Sequence, residues 1–213
     1  MIGVIVRIIL ALLMSYLLGS VSFAVVVSKY LEGEDVRQKG SGNAGATNML
    51  RNYGWIPAAM TFVGDLAKGS IAVLLGRMLT ASTPVALYGG FLCGFAVLFG
   101  HMKPLFFGFQ GGKGVATGLG AVLALNPLVC AIMAVVAIPL AGFSGYVSLA
   151  SIICAGAYPF VLAVIRHWQN RFDLLEVLLA AALGWTIVYN HRKNIQRLCN
   201  GTERRFLPSK KSK

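Results

Sequence analysis

What most constrains this chain is its succession of apolar runs, at residues 4–28, 55–79, 84–100, 115–125, 128–141, 144–165 and 174–190. Most approach the ~20 helical residues that cross a ~30 Å hydrocarbon core. Hydrophobic residues make up 57% of the chain, charged residues 12%, and the mean hydropathy is +0.73. A soluble domain carries about 25% charged residues, so lipid is the solvent implied here. The first run extends from Val4 to about Val27 with only Arg7 charged. That is too long for a signal-peptide core, and it reads as a retained span. The fold class is an all-α polytopic membrane protein.

Two runs are short and flank Asn126-Pro127. An 11-residue helix over 115–125 rises only ~16 Å, so residues 115–141 form either one kinked span or two short helices folded back. Charge decides between them. The loop 29–54 carries Lys29, Arg37, Lys39 and Arg51, and a basic block runs from Arg192 to Lys213. Loops rich in Lys and Arg stay cytoplasmic, which requires an odd number of crossings. The expectation is seven transmembrane helices, two of them short, with the N-terminus outside and the C-terminus cytoplasmic. Residues 1–205 then form a single membrane domain, and 206–213 a basic, disordered tail. The basic block beside a last span accounts for the net charge of +12 without nucleic acid. Cys93, Cys130, Cys154 and Cys199 are scattered, so neither a disulfide framework nor a zinc site is expected.

Three polar clusters interrupt the apolar pattern and, by this topology, share one membrane face. The first is "GSGNAGATNMLR", residues 40–51, a stretch that looks unable to pack a core. Gly40, Gly42 and Gly45 permit close approach of backbone to a ligand, and successive N–H groups in such a turn form an anion-binding concavity. Ser41, Asn43, Thr47 and Asn48 add hydrogen-bonding groups, and Arg51 a fork suited to phosphate.

The second cluster is "GHMKPLFFGFQGGKGVATG", beginning at Gly100. Gly111, Gly112 and Gly114 surround Lys113 and lead into an apolar helix at about Val115. Free N–H groups and the helix dipole favour an anion there, and Thr117 adds a hydroxyl one turn in. Phe107 and Gly114 depart from a Walker A loop, which removes support for nucleotide hydrolysis. His101 and Lys103 stand at the end of the preceding run, and Phe106, Phe107 and Phe109 read as interfacial anchors.

The third cluster, "YNHRKNIQRLCNGTE", starts at Tyr189; a helical turn would point His191 and Asn194 the same way, and Glu203 is a weak candidate. Inside the second long run, Asp65 and Lys68 lie three apart on one helical face and are expected to support the site from behind. No Ser-His-Asp set or HxxxxD pattern exists, and neither His101 nor His191 has an evident carboxylate to orient it. A transporter of phosphorylated metabolites would instead place its site near the bilayer midplane.

At these three clusters, with "GDLAKG" between the first two, the sequence resembles the bacterial PlsY family of acyl-phosphate-dependent glycerol 3-phosphate acyltransferases. The resemblance covers nearly the whole chain. It implies an inner-membrane enzyme with a cytoplasmic site that acylates the 1-hydroxyl of glycerol 3-phosphate from acyl phosphate. The products would be lysophosphatidic acid and phosphate, an early step in phospholipid synthesis, with no cofactor and no metal. It also implies functional coupling to the enzymes that make acyl phosphate and perform the second acylation. On this basis Ser41, Lys113, His101 and His191 are the expected catalytic residues. Gly40, Asn43, Gly45, Thr47, Asn48, Arg51, Gly111, Gly112, Gly114, Thr117 and Asn194 are expected to bind substrate, with Asp65 and Lys68 behind them. The general base stays open between a histidine and a phosphate oxygen of the substrate.

Overall fold

The computed structural model describes residues 2–206, which contain α-helices and short 3-10 turns and, among the described residues, no strand. The chain forms two compact units that divide between Cys130 and Ala131. Each unit is taken by itself below.

The first unit contains α1 (Ile2–Ser20), α2 (Phe23–Glu32), α3 (Ala46–Tyr53), α4 (Trp55–Thr80), α5 (Ala86–Met102) and α6 (Val115–Leu125). The first apolar run is therefore not one unbroken helix: it breaks at Val21-Ser22, although Ile2–Glu32 together has the length and apolarity of a span. The break leaves carbonyls at the end of α1 without helical partners. Lys68 of α4 fills that need, donating from Nζ to Gly19 O at 3.0 Å and Val21 O at 2.7 Å.

Glycines let these helices approach backbone to backbone. A Cβ on Gly19 would overlap the Val97 carbonyl, and one on Gly100 the Tyr16 carbonyl, so α1 and α5 pack with almost nothing between them. The same holds for α4 and α6, where Gly69 faces Thr117 O and Gly120 faces Leu66 O. Small residues at helix crossings are the usual basis of packing in lipid, where side-chain burial gains little. Arg77 closes the far end of α6 by donating to Ala124 O and Leu125 O at 2.7 and 2.9 Å.

The first polar cluster is better packed than its composition suggests. Ala44 and Met49 are fully buried against Ala24, Val25 and Val27 of α2, with Leu50 and Tyr53 alongside. The expectation that this stretch could not contribute to a core is thereby corrected. The cause is α3, which buries Asn48 and Met49 and leaves Asn52 exposed.

Helices 115–125 and 127–144 are separate, with Asn126 between them, which favours the two-helix alternative. Only the first is short. The second, α7 (Pro127–Ser144), has 18 residues and passes as a span, because Gly142 does not end it where the sequence pattern faded at 141.

The second unit holds most of α7, together with α8 (Val147–Trp168), α9 (Leu174–Asn190) and α10 (Arg192–Cys199). The α8–α9 hairpin is drawn together where Gly184 meets the Ala155 carbonyl. At its turn, Arg166 clasps Glu176 through two hydrogen bonds of 2.7 and 2.5 Å, while Asp173 caps α9 through Glu176 N. Helix α10 follows α9 after a 59° bend. Phe206, at the start of the expected tail, donates its N–H to Gly145 O at 3.0 Å. Residues 207–213, including Lys210, Lys211 and Lys213, lie outside the described residues.

Among the described residues, five helical segments are long and apolar enough to cross a membrane, and the bent pair α9–α10 makes a sixth; α6 is apolar but shorter.

Candidate functional site

In the first unit, the loop before α3 and the loop before α6 come together. Gly112 marks the junction: a Cβ there would overlap both the His101 ring and the Ala44 carbonyl. Gly111 lies as close to the His101 carbonyl, which accepts the Gly112 N–H at 3.2 Å. Gly114, the N-cap of α6, has φ +87° and presses on Leu98. Two glycine-rich loops thus meet where α6 presents its unsatisfied N–H groups, an arrangement that attracts anions. Lys113 is half-buried in the second loop.

Each loop is shaped from within. Asn48, 1% exposed, accepts from Ser41 N and Asn52 Nδ2, each at 3.0 Å. Its Nδ2 donates to Val36 O and Lys39 O at 3.2 and 3.1 Å. A side-chain amide has two donor hydrogens and two acceptor lone pairs, so Asn48 has no remaining capacity for a ligand. Expected at the substrate, it instead folds the loop. This leaves Gly40 at φ +59°, with Asn48 and Asn52 where a Cβ would stand. Ser41 is exposed, while Asn43, Thr47 and Arg51 are half-buried; Gly45 is the N-cap of α3, where a Cβ would crowd the Asn43 amide. Thr117 differs from Asn48 in that its buried hydroxyl has no hydrogen-bond partner among the described residues. It is fully buried, with its backbone against Gly69, so it lies behind the loop rather than open to it.

Arg37 is a residue that the sequence pattern offered only as a topogenic charge. Its guanidinium is held by Asp35 and donates from Nη1 to Phe107 O at 2.6 Å and Gln110 O at 3.0 Å. It therefore clamps one loop to the other. The paired Arg37 guanidinium, against the opposing effect of burial, holds the Asp35 carboxyl below the usual carboxylate range. The Asp-x-Arg spacing was the available signal.

Behind the loops lies a charged cluster buried within the spans. Asp65 and Lys68 are each 1% exposed and pair at 2.8 Å. The same Oδ1 of Asp65 is 3.5 Å from Nδ1 of His101, a charge contact longer than a formed hydrogen bond. His101 does have a carboxylate neighbour, then, contrary to the sequence argument. Asp65 is remote in sequence, and only the α4–α5 packing delivers it.

The second unit carries the third cluster. His191, 2% exposed, has Nδ1 2.8 Å from Ile187 O, which makes Nδ1 the protonated nitrogen. Glu203 collects Asn194 Nδ2 at 2.7 Å, Ser148 Oγ at 2.9 Å and Arg197 Nε at 2.7 Å. Burial opposes its charge, but these hydrogen bonds outweigh it and hold the Glu203 carboxyl below its ordinary value. The weakest candidate of the sequence is the hub of this cluster, and Ser148 gave no signal at all.

Fold and loops together define an integral membrane protein in which two glycine-rich loops meet where a helix begins. The family model for glycerol-3-phosphate acyltransferase matches residues 9–201. A curated glycerol-3-phosphate acyltransferase from Clostridioides difficile is 42% identical over 193 residues, covering 90% of this chain and 92% of that protein. One from Bordetella pertussis is 43% identical over 198 residues, with coverage of 92% and 90%. The crystal structure of PlsY, an integral membrane glycerol 3-phosphate acyltransferase, in its glycerol 3-phosphate form is similar with a TM-score of 0.81 at 36% identity. It covers 94% of this chain and 96% of that one. This chain belongs to the glycerol-3-phosphate acyltransferase family.

Proposed function

We propose that this protein transfers a fatty acyl group from acyl phosphate to the 1-hydroxyl of glycerol 3-phosphate, giving lysophosphatidic acid and inorganic phosphate. The observation that carries this reading is the meeting of two glycine-rich loops at Gly112, beside the N-terminus of α6. Its relatives support it: PlsY has been crystallised in glycerol 3-phosphate and lysophosphatidic acid forms. Both proposed substrates carry a phosphate, so two neighbouring anion-binding loops suit them.

In the reaction, the 1-hydroxyl oxygen attacks the acyl carbon, and the bond from that carbon to the bridging phosphate oxygen breaks. The phosphate leaves with the electron pair, and the hydroxyl proton passes to a histidine or to a phosphate oxygen. Acyl phosphate is already activated, so positioning and charge stabilisation do most of the catalysis. Lys113 and the amides of Gly111, Gly112 and Gly114 stabilise the departing phosphate. Ser41, Asn43, Thr47 and Arg51, with Gly40 and Gly45 shaping the loop, contact glycerol 3-phosphate. The same reading gives His191 and Asn194 a part in substrate binding, on the strength of their motif.

The reading extends to topology. Counting α6 and α9 as crossings gives seven, with the N-terminus outside, the site loops and C-terminus cytoplasmic, and the protein in the bacterial inner membrane. Coupling to the enzymes that supply acyl phosphate and add the second acyl chain follows from the chemistry of substrate and product.

The test gives purified protein glycerol 3-phosphate with acyl phosphate in one arm and acyl-CoA in another. Lysophosphatidic acid from the first arm alone is the expected result. Product from acyl-CoA alone would overturn the donor assignment, and no product in either arm would overturn the activity.

A further inference from the structure

We infer that His101 is a positioning residue for the glycine loop, held by a chain that runs from the break in the first span through Lys68 and Asp65. The inference rests on the proposed acyl transfer for its kinetic test and on geometry for its argument.

Ionisable side chains within a span are costly, and those that persist usually serve a function. Lys68 has three N–H donors, and each has a partner: Asp65 Oδ1, Gly19 O and Val21 O. The ammonium thus ties α4 to the end of α1 and fixes the Asp65 carboxylate. That carboxylate faces His101 Nδ1 at 3.5 Å, and on the other side of the ring Nε2 lies against Gly112. The ring occupies the place where a side chain on residue 112 would stand. One face of the anion loop therefore rests on the imidazole, whose Nδ1 is buried and whose Nε2 lies against Gly112. The residue is 5% exposed. A general base must reach the proton that it removes; this histidine is instead placed to set where the Gly112 backbone sits. Among the described residues, no other titratable side chain lies within ion-pair distance of the ring or of Asp65.

The test compares wild type with His101→Ala, His101→Asn and Asp65→Asn, as full-length purified protein, by two measurements. The first is steady-state kinetics with acyl phosphate and glycerol 3-phosphate across pH. A displaced loop should raise KM for a phosphate substrate about 10- to 100-fold in His101→Ala and Asp65→Asn. The fall in kcat should be smaller, and the pH profile of kcat unchanged. His101→Asn, which keeps an N–H near Nδ1, should recover most of the loss. The second measurement is hydrogen exchange across residues 104–116 with and without inorganic phosphate. Exchange should quicken in His101→Ala and return towards wild type in His101→Asn.

A collapse of kcat at constant KM, with a lost limb in the pH profile and no rescue by His101→Asn, would make His101 the base and overturn the inference. Unchanged loop exchange in His101→Ala would overturn it as well. If wild type forms no product, the proposed function fails, and the exchange arm alone decides the positioning role. If His101→Ala does not fold, His101→Asn and Asp65→Asn decide it: slower exchange in the former than in the latter supports the inference, and equal exchange overturns it.

Discussion

Asp65 and Glu203 are both buried carboxylates that gather a cation and a residue of the expected site, yet they do so in different ways. Asp65 lies within a span, its cation is one helical turn away on α4, and both partners are almost wholly enclosed. Glu203 lies in the chain after α10, and its cation Arg197 keeps 41% of its side chain exposed. The first cluster has little access to water if one member is lost, whereas the second can rehydrate. Buried pairs therefore couple folding tightly to function, and boundary pairs couple it loosely.

The sharpest way to break this comparison is Asp65→Ala. Removing one partner of a buried pair leaves the other uncompensated, and the expected loss is about 3–5 kcal/mol, read as a lower midpoint of unfolding in detergent. Asp65→Leu combined with Lys68→Met should recover much of that loss, because an apolar pair of similar volume carries no desolvation cost. Failure to recover would mean that the Lys68 hydrogen bonds to Gly19 and Val21 matter more than the pairing with Asp65.

Gly112→Ala should come next, and in activity rather than stability. The added methyl must displace the His101 ring or the Ala44 carbonyl, and a displacement approaching 1 Å costs about 100-fold in rate. Gly142 offers the contrast: nothing lies within 4 Å of its Cβ position on α7. Gly142→Ala should leave activity unchanged and stabilise by about 0.5–1 kcal/mol through reduced unfolded-state freedom.

For the second cluster, Glu203→Gln should cost about 1.5–3 kcal/mol, the range for hydrogen bonds to a charged group. Because the folded state holds this carboxyl below its ordinary value of 4.5, its contribution is fully present above that pH. It is lost as the pH falls through the folded value. The stability gap between wild type and Glu203→Gln should therefore be wide at neutral pH and close on acidification. A gap independent of pH would show that the carboxylate charge is not what Glu203 supplies.

The smallest effect is expected at the clamp between the loops. Arg37→Lys keeps the charge but loses the planar fork that reaches Asp35, Phe107 O and Gln110 O together. KM should rise several-fold with kcat nearly unchanged, read from the same acyl-transfer kinetics.

Much of this was legible in the sequence. The apolar runs, the two glycine-rich loops and the buried Asp65-x-x-Lys68 spacing are local patterns, and local patterns report periodicity and backbone freedom directly. What stayed hidden was pairing across distance. Asn48 could not be told from a ligand contact, because its partners Val36, Lys39 and Ser41 are brought to it by the loop's own folding. The break at Val21-Ser22 carries no proline, only the Gly19-Ser20 pair before it; it is stabilised by an ammonium on another helix.

By itself the sequence determined an all-helical membrane protein of the glycerol-3-phosphate acyltransferase family with its polar chemistry concentrated in a few loops. Hydrophobic length and glycine placement are properties of neighbouring residues, so no packing is needed to see them. Only the tertiary structure decided that a carboxylate from α4 stands behind the His101 ring and that this ring stands behind Gly112. Asp65 reaches His101 through the packing of α4 on α5, which come close where Gly76 faces the Gly89 carbonyl, and such packing depends on residues far apart in the chain.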